Sequence, residues 1–187
     1  MLKFSLLITL VAIGCSGAFA QGEANSLKGV PFSERIVTGG GLGLSFGSAQ
    51  DFVSVSPQIG YRVTAKLIAG TGLTYRYTNY KIFRPSVKLH DYGVNPFLRF
   101  FVYRNIFVQT EYEYLNYEFP FTNRETVRRG FNSFLAGGGF VQPVSDKISF
   151  YVMALYNFSY NNSSTTYSPY DSPLIIRAGI NIGSLGF

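Results

Sequence analysis

The chain has 187 residues, 47% of them hydrophobic, 17% aromatic and only 14% charged, with 20 glycines and a formal net charge of +6. Its basic residues are scattered, no run exceeding Arg128-Arg129, which excludes a nucleic-acid surface built on a basic stripe. The single cysteine, Cys15, excludes an intramolecular disulfide, and past the N-terminal segment no apolar run reaches the roughly 18 residues of a membrane helix.

Residues 1–20 have a basic start at Lys3, an apolar run from Phe4 to Ile13, and an Ala18-Phe19-Ala20 end suited to signal peptidase. They read as a secretory signal, and cleavage after Ala20 leaves enough chain for one barrel and too little for two domains. Ala12-Ile13-Gly14-Cys15 also loosely resembles a lipoprotein box with Cys15 as the lipidated residue, but position 12 lacks the usual leucine and the alanine motif is cleaner. Residues 21–34 are expected to form a periplasmic N-terminal segment and residues 35–187 a β-barrel.

Beyond the signal, seven stretches alternate apolar and polar residues with period two, as strands with two unlike faces do. From Leu67, one face reads Leu67, Ala69, Thr71, Leu73, Tyr75, Tyr77 and the other Ile68, Gly70, Gly72, Thr74, Arg76, Thr78. From Ile106, one face reads Ile106, Val108, Thr110, Tyr112, Tyr114 and the other Phe107, Gln109, Glu111, Glu113. Eight strands are predicted, over residues 35–47, 52–63, 67–80, 92–102, 106–118, 130–141, 148–160 and 173–187. About nine to eleven residues let a tilted strand cross a bilayer, and these spans meet that length.

The predicted connections alternate in length. Residues 64–66, 103–105 and 142–147 are brief, whereas 81–90, 119–129 and 161–172 are long and polar; on the long rim only 48–51 is short. This segregation predicts an all-β, eight-stranded antiparallel up-and-down transmembrane β-barrel, with the turns and both termini on the periplasmic side. A three-residue turn at 103–105 opposes Val102 to Ile106, Phe101 to Phe107, Arg99 to Gln109 and Phe97 to Glu111, all on one side of the sheet. A two-residue turn would mix the faces. In the sixth strand, Phe134-Leu135-Ala136 and Gly137-Gly138-Gly139 leave the facing open.

In a soluble sandwich the apolar face would be the core; here the export signal and the two unequal rims assign it to lipid. The inward face then collects Arg35, Arg62, Arg76, Arg99 and Arg177 against Glu111 and Glu113, with Gln58, Asn95, Gln109, Asn157, Asn181 and several glycines among them. Eight strands enclose a lumen just wide enough to be filled by side chains, so a closed, salt-bridged plug is expected. The count also predicts an excess of three positive charges, suited to holding an anion or leaking one.

Outward aromatics fall into two belts: Tyr75, Tyr77, Tyr112, Tyr114, Tyr156, Phe158 and Tyr160 toward the loops, and Tyr61, Phe100 and Phe150 toward the turns. Rings gather at membrane interfaces, although they would also suit a stacking site for sugars. His90 beside Asp91 is the sole histidine, and with Ser86 it is the only local base–nucleophile candidate for a lipid-modifying enzyme; a solvated loop histidine is the simpler reading. The glycine runs 39–41 and 137–139 lack the Lys-Ser/Thr and helix of a phosphate loop. The triplets in residues 161–166 read as a polar loop.

Pro57-Gln58-Ile59-Gly60-Tyr61 before a short turn, Leu67 to Tyr75, and Pro96-Phe97-Leu98-Arg99-Phe100-Phe101 before the next turn resemble the small outer-membrane β-barrel domain family, porin-like and of OmpA/OmpX type. The resemblance spans roughly residues 37–187 and implies the fold; it brings no catalytic residues, cofactor or metal. Pro57 and Pro96 depart from the simplest strand pattern and predict a bulge or local widening at each. Phe187 ends the chain as barrels read by the outer-membrane assembly machinery do. The opposite parity of Ala178, Ile180 and Ile182 to Leu185 and Phe187 demands a bulge near Gly183 or a loose end.

The functional expectation is a monomer in the bacterial outer membrane, partnered by lipid and, during biogenesis, by the assembly machinery, with a structural role or a surface interaction through its long loops. The alternatives are a narrow channel or carrier for small anionic or hydrophobic solutes, a lipid-modifying enzyme, and a secreted soluble barrel of lipocalin type.

Overall fold

The computed structural model describes residues 27–46, 50–81, 85–120, 126–160, 170 and 172–185. The expected signal peptide, Cys15 and Phe187 therefore lie outside the described residues. A short 3-10 helix, Phe32–Arg35, precedes eight strands: β1 (Ile36–Phe46), β2 (Gln50–Arg62), β3 (Leu67–Tyr80), β4 (Val87–Tyr103), β5 (Ile106–Pro120), β6 (Thr126–Pro143), β7 (Ile148–Asn157) and β8 (Leu174–Ile182). Each pairs antiparallel with the next in chain order and β8 returns to β1, so the sheet closes into the predicted barrel.

The period-two alternation becomes a wall with two environments. On β7, Ser149, Tyr151, Met153, Leu155 and Asn157 are buried, while Ile148, Phe150, Val152, Ala154 and Tyr156 between them are exposed. On β5, Phe107, Gln109, Glu111, Glu113 and Leu115 are buried and Ile106, Val108, Thr110, Tyr112 and Tyr114 exposed. The interior is mixed rather than polar throughout: an apolar cluster of Val37, Ile68, Phe97, Phe101, Phe107, Leu135, Val141, Tyr151, Met153, Leu155 and Leu185 shares it with the charged residues.

The facing of β6 follows from its neighbours. Ser133, Leu135 and Val141 are buried and Phe134 and Phe140 exposed, which puts Gly137 and Gly139 on the inward parity. A Cβ on Gly137 would sit 2.0 Å from the Ala154 carbonyl oxygen, and one on Gly139 would sit 2.5 Å from the Phe107 ring. Glycine here lets β6 approach β7 closely and leaves room for Phe107.

Several expected boundaries are corrected. β4 begins at Val87, β5 runs to Pro120 and β6 begins at Thr126, so much of the expected loops 81–90 and 119–129 is paired strand, as in Tyr80↔Val87 and Glu118↔Arg128. Past the apolar belt polar residues take the outward positions, as at Lys88, His90, Glu118 and Arg128, while Leu89 and Asp91 stay buried inside, so hydrophobic alternation stops marking the strands although the ladder continues. Conversely, β7 stops at Asn157 and β8 runs only from Leu174 to Ile182, shorter than expected at both ends.

The β4–β5 register has the expected Phe97↔Glu111, Arg99↔Gln109 and Phe101↔Phe107, but the turn is tighter than expected. Tyr103, not Val102, opposes Ile106, through a register shift between Phe101 and Tyr103, and Arg104 adopts a left-handed φ of 36°. The extra residue is absorbed by the irregularity, which lets a two-residue turn keep the faces unmixed. Pro57 and Pro96 produce no register shift: Val55↔Tyr75 and Gln58↔Gly72 belong to one register, as do Val94↔Tyr114 and Phe97↔Glu111. Only the local pairs are missing, on the side where proline lacks its donor. At the C-terminal end the strand stops at Ile182, and Gly183, at φ 130°, leads the chain away so that Leu185 is buried in the apolar cluster.

Candidate functional site: the charged lumen

The centre of the barrel holds one connected chain of side chains. Arg99 donates through Nε to Gln109 Oε1 at 2.6 Å and through Nη1 to Asn181 Oδ1 at 3.4 Å. Gln109 donates to Glu111 Oε1, and Asn95 Nδ2 reaches Glu111 Oε2 at 3.5 Å. Arg177 Nη1 lies 2.6 Å from Glu111 Oε2 and its Nη2 lies 3.0 Å from Glu113 Oε2, so one guanidinium spans both carboxylates. The Tyr170 hydroxyl closes the chain by donating to Glu113 Oε1.

Register explains the assembly. Glu111 and Glu113 are successive inward positions of β5, Gln109 precedes them, and Arg99 is the direct partner of Gln109 on β4. Arg177 reaches across the lumen from β8. Among the described residues no carboxylate is hydrogen-bonded to Arg99; its guanidinium stands 4.5 Å from the Phe107 ring centre, 5.1 Å from that of Tyr151 and 5.6 Å from that of Phe97. Aromatic faces stabilise a desolvated guanidinium by roughly 2 kcal/mol. Its Nη2 and the Asn95 Oδ1 are buried with no hydrogen-bond partner among the described residues.

The remaining expected lumen residues lie elsewhere. Arg76 forms a separate pair toward the loop rim, its Nε 3.0 Å from Asp91 Oδ2. Arg62 is buried toward the turn rim and donates to the Ser184 carbonyl at 3.2 Å. Arg35 is a correction: it ends the 3-10 helix before β1 and folds back on that segment, donating to Leu27 O at 2.8 Å, Val30 O at 3.1 Å and Tyr61 Oη at 3.4 Å. A helical turn breaks the strand alternation on which its inward placement depended.

Asp91, fully buried, was missed because β4 was expected to start one residue later. Carrying the alternation of Arg99, Phe97 and Asn95 two steps further reaches it. The enclosed charges are thus Arg62, Arg76, Arg99 and Arg177 against Asp91, Glu111 and Glu113, four against three, and the expected excess of three shrinks to one among the described residues. Tyr170 had no signal to find, since it comes from outside any strand.

Above Tyr92↔Asn116 the β4–β5 ladder ends, although β4 stays paired with β3 and β5 with β6. Carboxylates fill the gap: His90 N–H donates to Glu118 Oε2 at 3.1 Å and Glu118 N–H to Asp91 Oδ1 at 3.0 Å. Arg128 and Thr126 also bond Glu118, at 2.9 and 2.7 Å. Burial pushes the Glu118 carboxyl up, but the Thr126 hydroxyl, the His90 amide and the Arg128 guanidinium outweigh it and hold it below the usual carboxylate range.

On the outer surface His90 is built into a ring cluster, with Nδ1 2.9 Å from Tyr75 Oη and its ring 5.2 Å from Tyr77. Tyr92 stacks 5.5 Å from Tyr75, and Phe158 lies 5.1 Å from Tyr156 and 6.0 Å from Phe134. Ser86 is exposed at the approach to β4.

No protein-family model and no curated protein matches the sequence. Among solved structures the chain is similar to the N-terminal β-barrel domain of Pseudomonas aeruginosa OprF, at 10% identity and a TM-score of 0.46, over 80% of this chain and 97% of that one.

Proposed function

We propose that this chain is an outer-membrane β-barrel protein of a diderm bacterium, its lumen held shut by its own side chains, with a structural or surface-interaction role through the rim opposite the short turns. The observation that carries the reading is the inverted wall. Leu42, Ile59, Leu73, Leu98, Val108, Phe150, Val152 and Ile176 stand between 47% and 71% exposed on the outside, while Arg99, Glu111, Glu113 and Asp91 are buried inside. Each large apolar side chain left in water forgoes about 1.5–3 kcal/mol, which a hydrocarbon environment restores. A closed barrel satisfies its backbone internally and is one of two structures able to cross that environment.

The rims agree with this orientation. β1 starts and β8 ends at the rim of the turn at 144–147, where Gly183 N–H bonds Lys147 O at 2.7 Å, so both ends of the barrel share the rim assigned to the periplasm. The opposite rim carries the β3–β4 and β5–β6 hairpins and is the surface open to partners. We read the chain as non-enzymatic; the contact made by His90 Nδ1 is with the Tyr75 hydroxyl.

Expression in a diderm host followed by membrane fractionation tests the reading. The protein is expected in the outer-membrane fraction, extracted only by detergent. Recovery as a detergent-free soluble protein would overturn the reading.

A further inference from the structure

One seam of the barrel is incomplete. β1 and β8 pair only from Thr38↔Ile182 to Gly41↔Gly179, four positions, whereas β7 and β8 pair over nine. Continuing the β1–β8 register would oppose Leu42 to Ala178, Leu44 to Ile176 and Phe46 to Leu174, yet none of these pairs forms. Both strands remain in place there: β1 pairs with β2 as far as Phe46↔Asp51, and β8 with β7 as far as Leu174↔Tyr156. Two strand edges thus face each other across a cleft in the wall.

A cavity of about 190 Å³ lies behind that cleft. Its lumen wall includes Ser56, Thr74 and Tyr151, and its mouth is formed by Leu42, Ile176 and Ala178 from the two unpaired edges. Those three are exposed on the outside of the barrel, Leu42 and Ile176 at 71% each. A cavity bounded by both inward and outward residues of the same strands opens through the wall. Leu42 belongs, with Val55, Tyr75 and Tyr92, to one cross-strand row of the outward apolar wall.

We propose that this seam is a lateral port through which a small neutral amphiphile passes between the bilayer and the lumen cavity, a single ring or short alkyl chain bearing one hydroxyl or amide head. The inference rests on the membrane reading above. Three features define the occupant. An enclosed cavity of about 150 Å³ holds a benzene ring, so this space takes little more than one ring or a short chain. Unpaired backbone N–H and C=O groups at membrane depth cost several kcal/mol each unless something bonds them, which a hydrogen-bonding head supplies. The nearby cations are matched, Arg177 by Glu111 and Glu113 and Arg76 by Asp91, which favours a neutral head.

The test uses full-length protein in phosphatidylcholine vesicles, in a Cys15→Ser background, photolabelled with 4-[3-(trifluoromethyl)diazirin-3-yl]benzyl alcohol and mapped by peptide mass spectrometry. Label on the outward residues Leu98 and Phe150 reports membrane insertion; label on Ser56 and Thr74 reports entry into the cavity. Both sets are expected in the parent protein. Oxidised Leu42→Cys/Ala178→Cys, which draws the seam together, is expected to lose label at Ser56 and Thr74 only and to regain it on reduction. Ala178→Trp, which obstructs the mouth without a crosslink, is expected to do the same. Unlabelled Ser56 and Thr74 beside labelled Leu98 and Phe150, or lumen label unchanged in both variants, would overturn the port while leaving the membrane reading intact. A dimer abolished by either variant would assign the seam to a second copy and overturn it too. Absence of label from Leu98 and Phe150 overturns the membrane reading and the port with it.

Discussion

Arg177 keeps Glu111 and Glu113 from facing each other as bare charges, since each carboxylate is within 3.0 Å of a different nitrogen of the same guanidinium. Removing one partner of a buried ion pair strands the other charge and costs about 3–5 kcal/mol. Arg177→Met is therefore expected to destabilise the barrel by about that amount in urea unfolding from vesicles. Adding Glu111→Gln and Glu113→Gln should restore most of the loss, because the stranded charges disappear; failure to recover would mean that Arg177 acts chiefly by packing. Glu118 offers a second check. Its carboxyl is lower in the folded protein than the ordinary 4.5, so its contribution is complete above that value and is lost as the pH falls below it through the folded value. The His90 amide resonance should report release of the β4–β5 tether over that acid range, and Glu118→Gln should abolish the transition. Most lumen residues were legible because one period-two count identifies every inward position of a strand. Asp91 lay one residue outside the expected strand, and Arg35 lay in a helical turn where the count does not apply.

At the scale of the element, β6 carries information that hydrophobicity does not. Its glycines 137, 138 and 139 have no side chains from which a facing can be read, and β7 packs against them so closely that only one parity tolerates nothing larger. Gly137→Ala would bring a Cβ to 2.0 Å from the Ala154 carbonyl, whereas at Gly138 the nearest atom is the Phe107 carbonyl oxygen at 3.1 Å. Gly137→Ala is expected to cost about 1–3 kcal/mol and Gly138→Ala distinctly less, compared by equilibrium unfolding. Equal costs would mean that β6 shifts freely against β7. The same limit explains the strand ends: β4, β5 and β6 extend past the belt with polar outward residues, among them Glu118 and Arg128, that no apolar count picks out. Pro57 and Pro96 show the converse, for their sequences announce a defect while their neighbours hold the register unchanged on both sides.

Across the whole molecule, the lumen combines the apolar cluster of Phe101, Phe107, Val141 and Leu185 with the chain from Asn181 to Tyr170. Eight strands leave room for little else. Planar-bilayer recording of the refolded protein is expected to show no sustained open level, while Arg99→Ala/Phe107→Ala, which removes two large side chains from the centre, is expected to conduct. Steady conductance of the parent protein would contradict a closed lumen.

The sequence by itself determined the number and order of the strands, their antiparallel connection and the division of most residues between two faces. Those properties are local, since alternation and turn spacing are written along the chain at distances of a few residues. The tertiary structure decided where Arg35 and Asp91 lie, how far the hairpins stand above the belt, and that the β1–β8 seam stops after four pairs. That seam joins the first and last strands across most of the chain, and no periodicity within either strand records how far they pair.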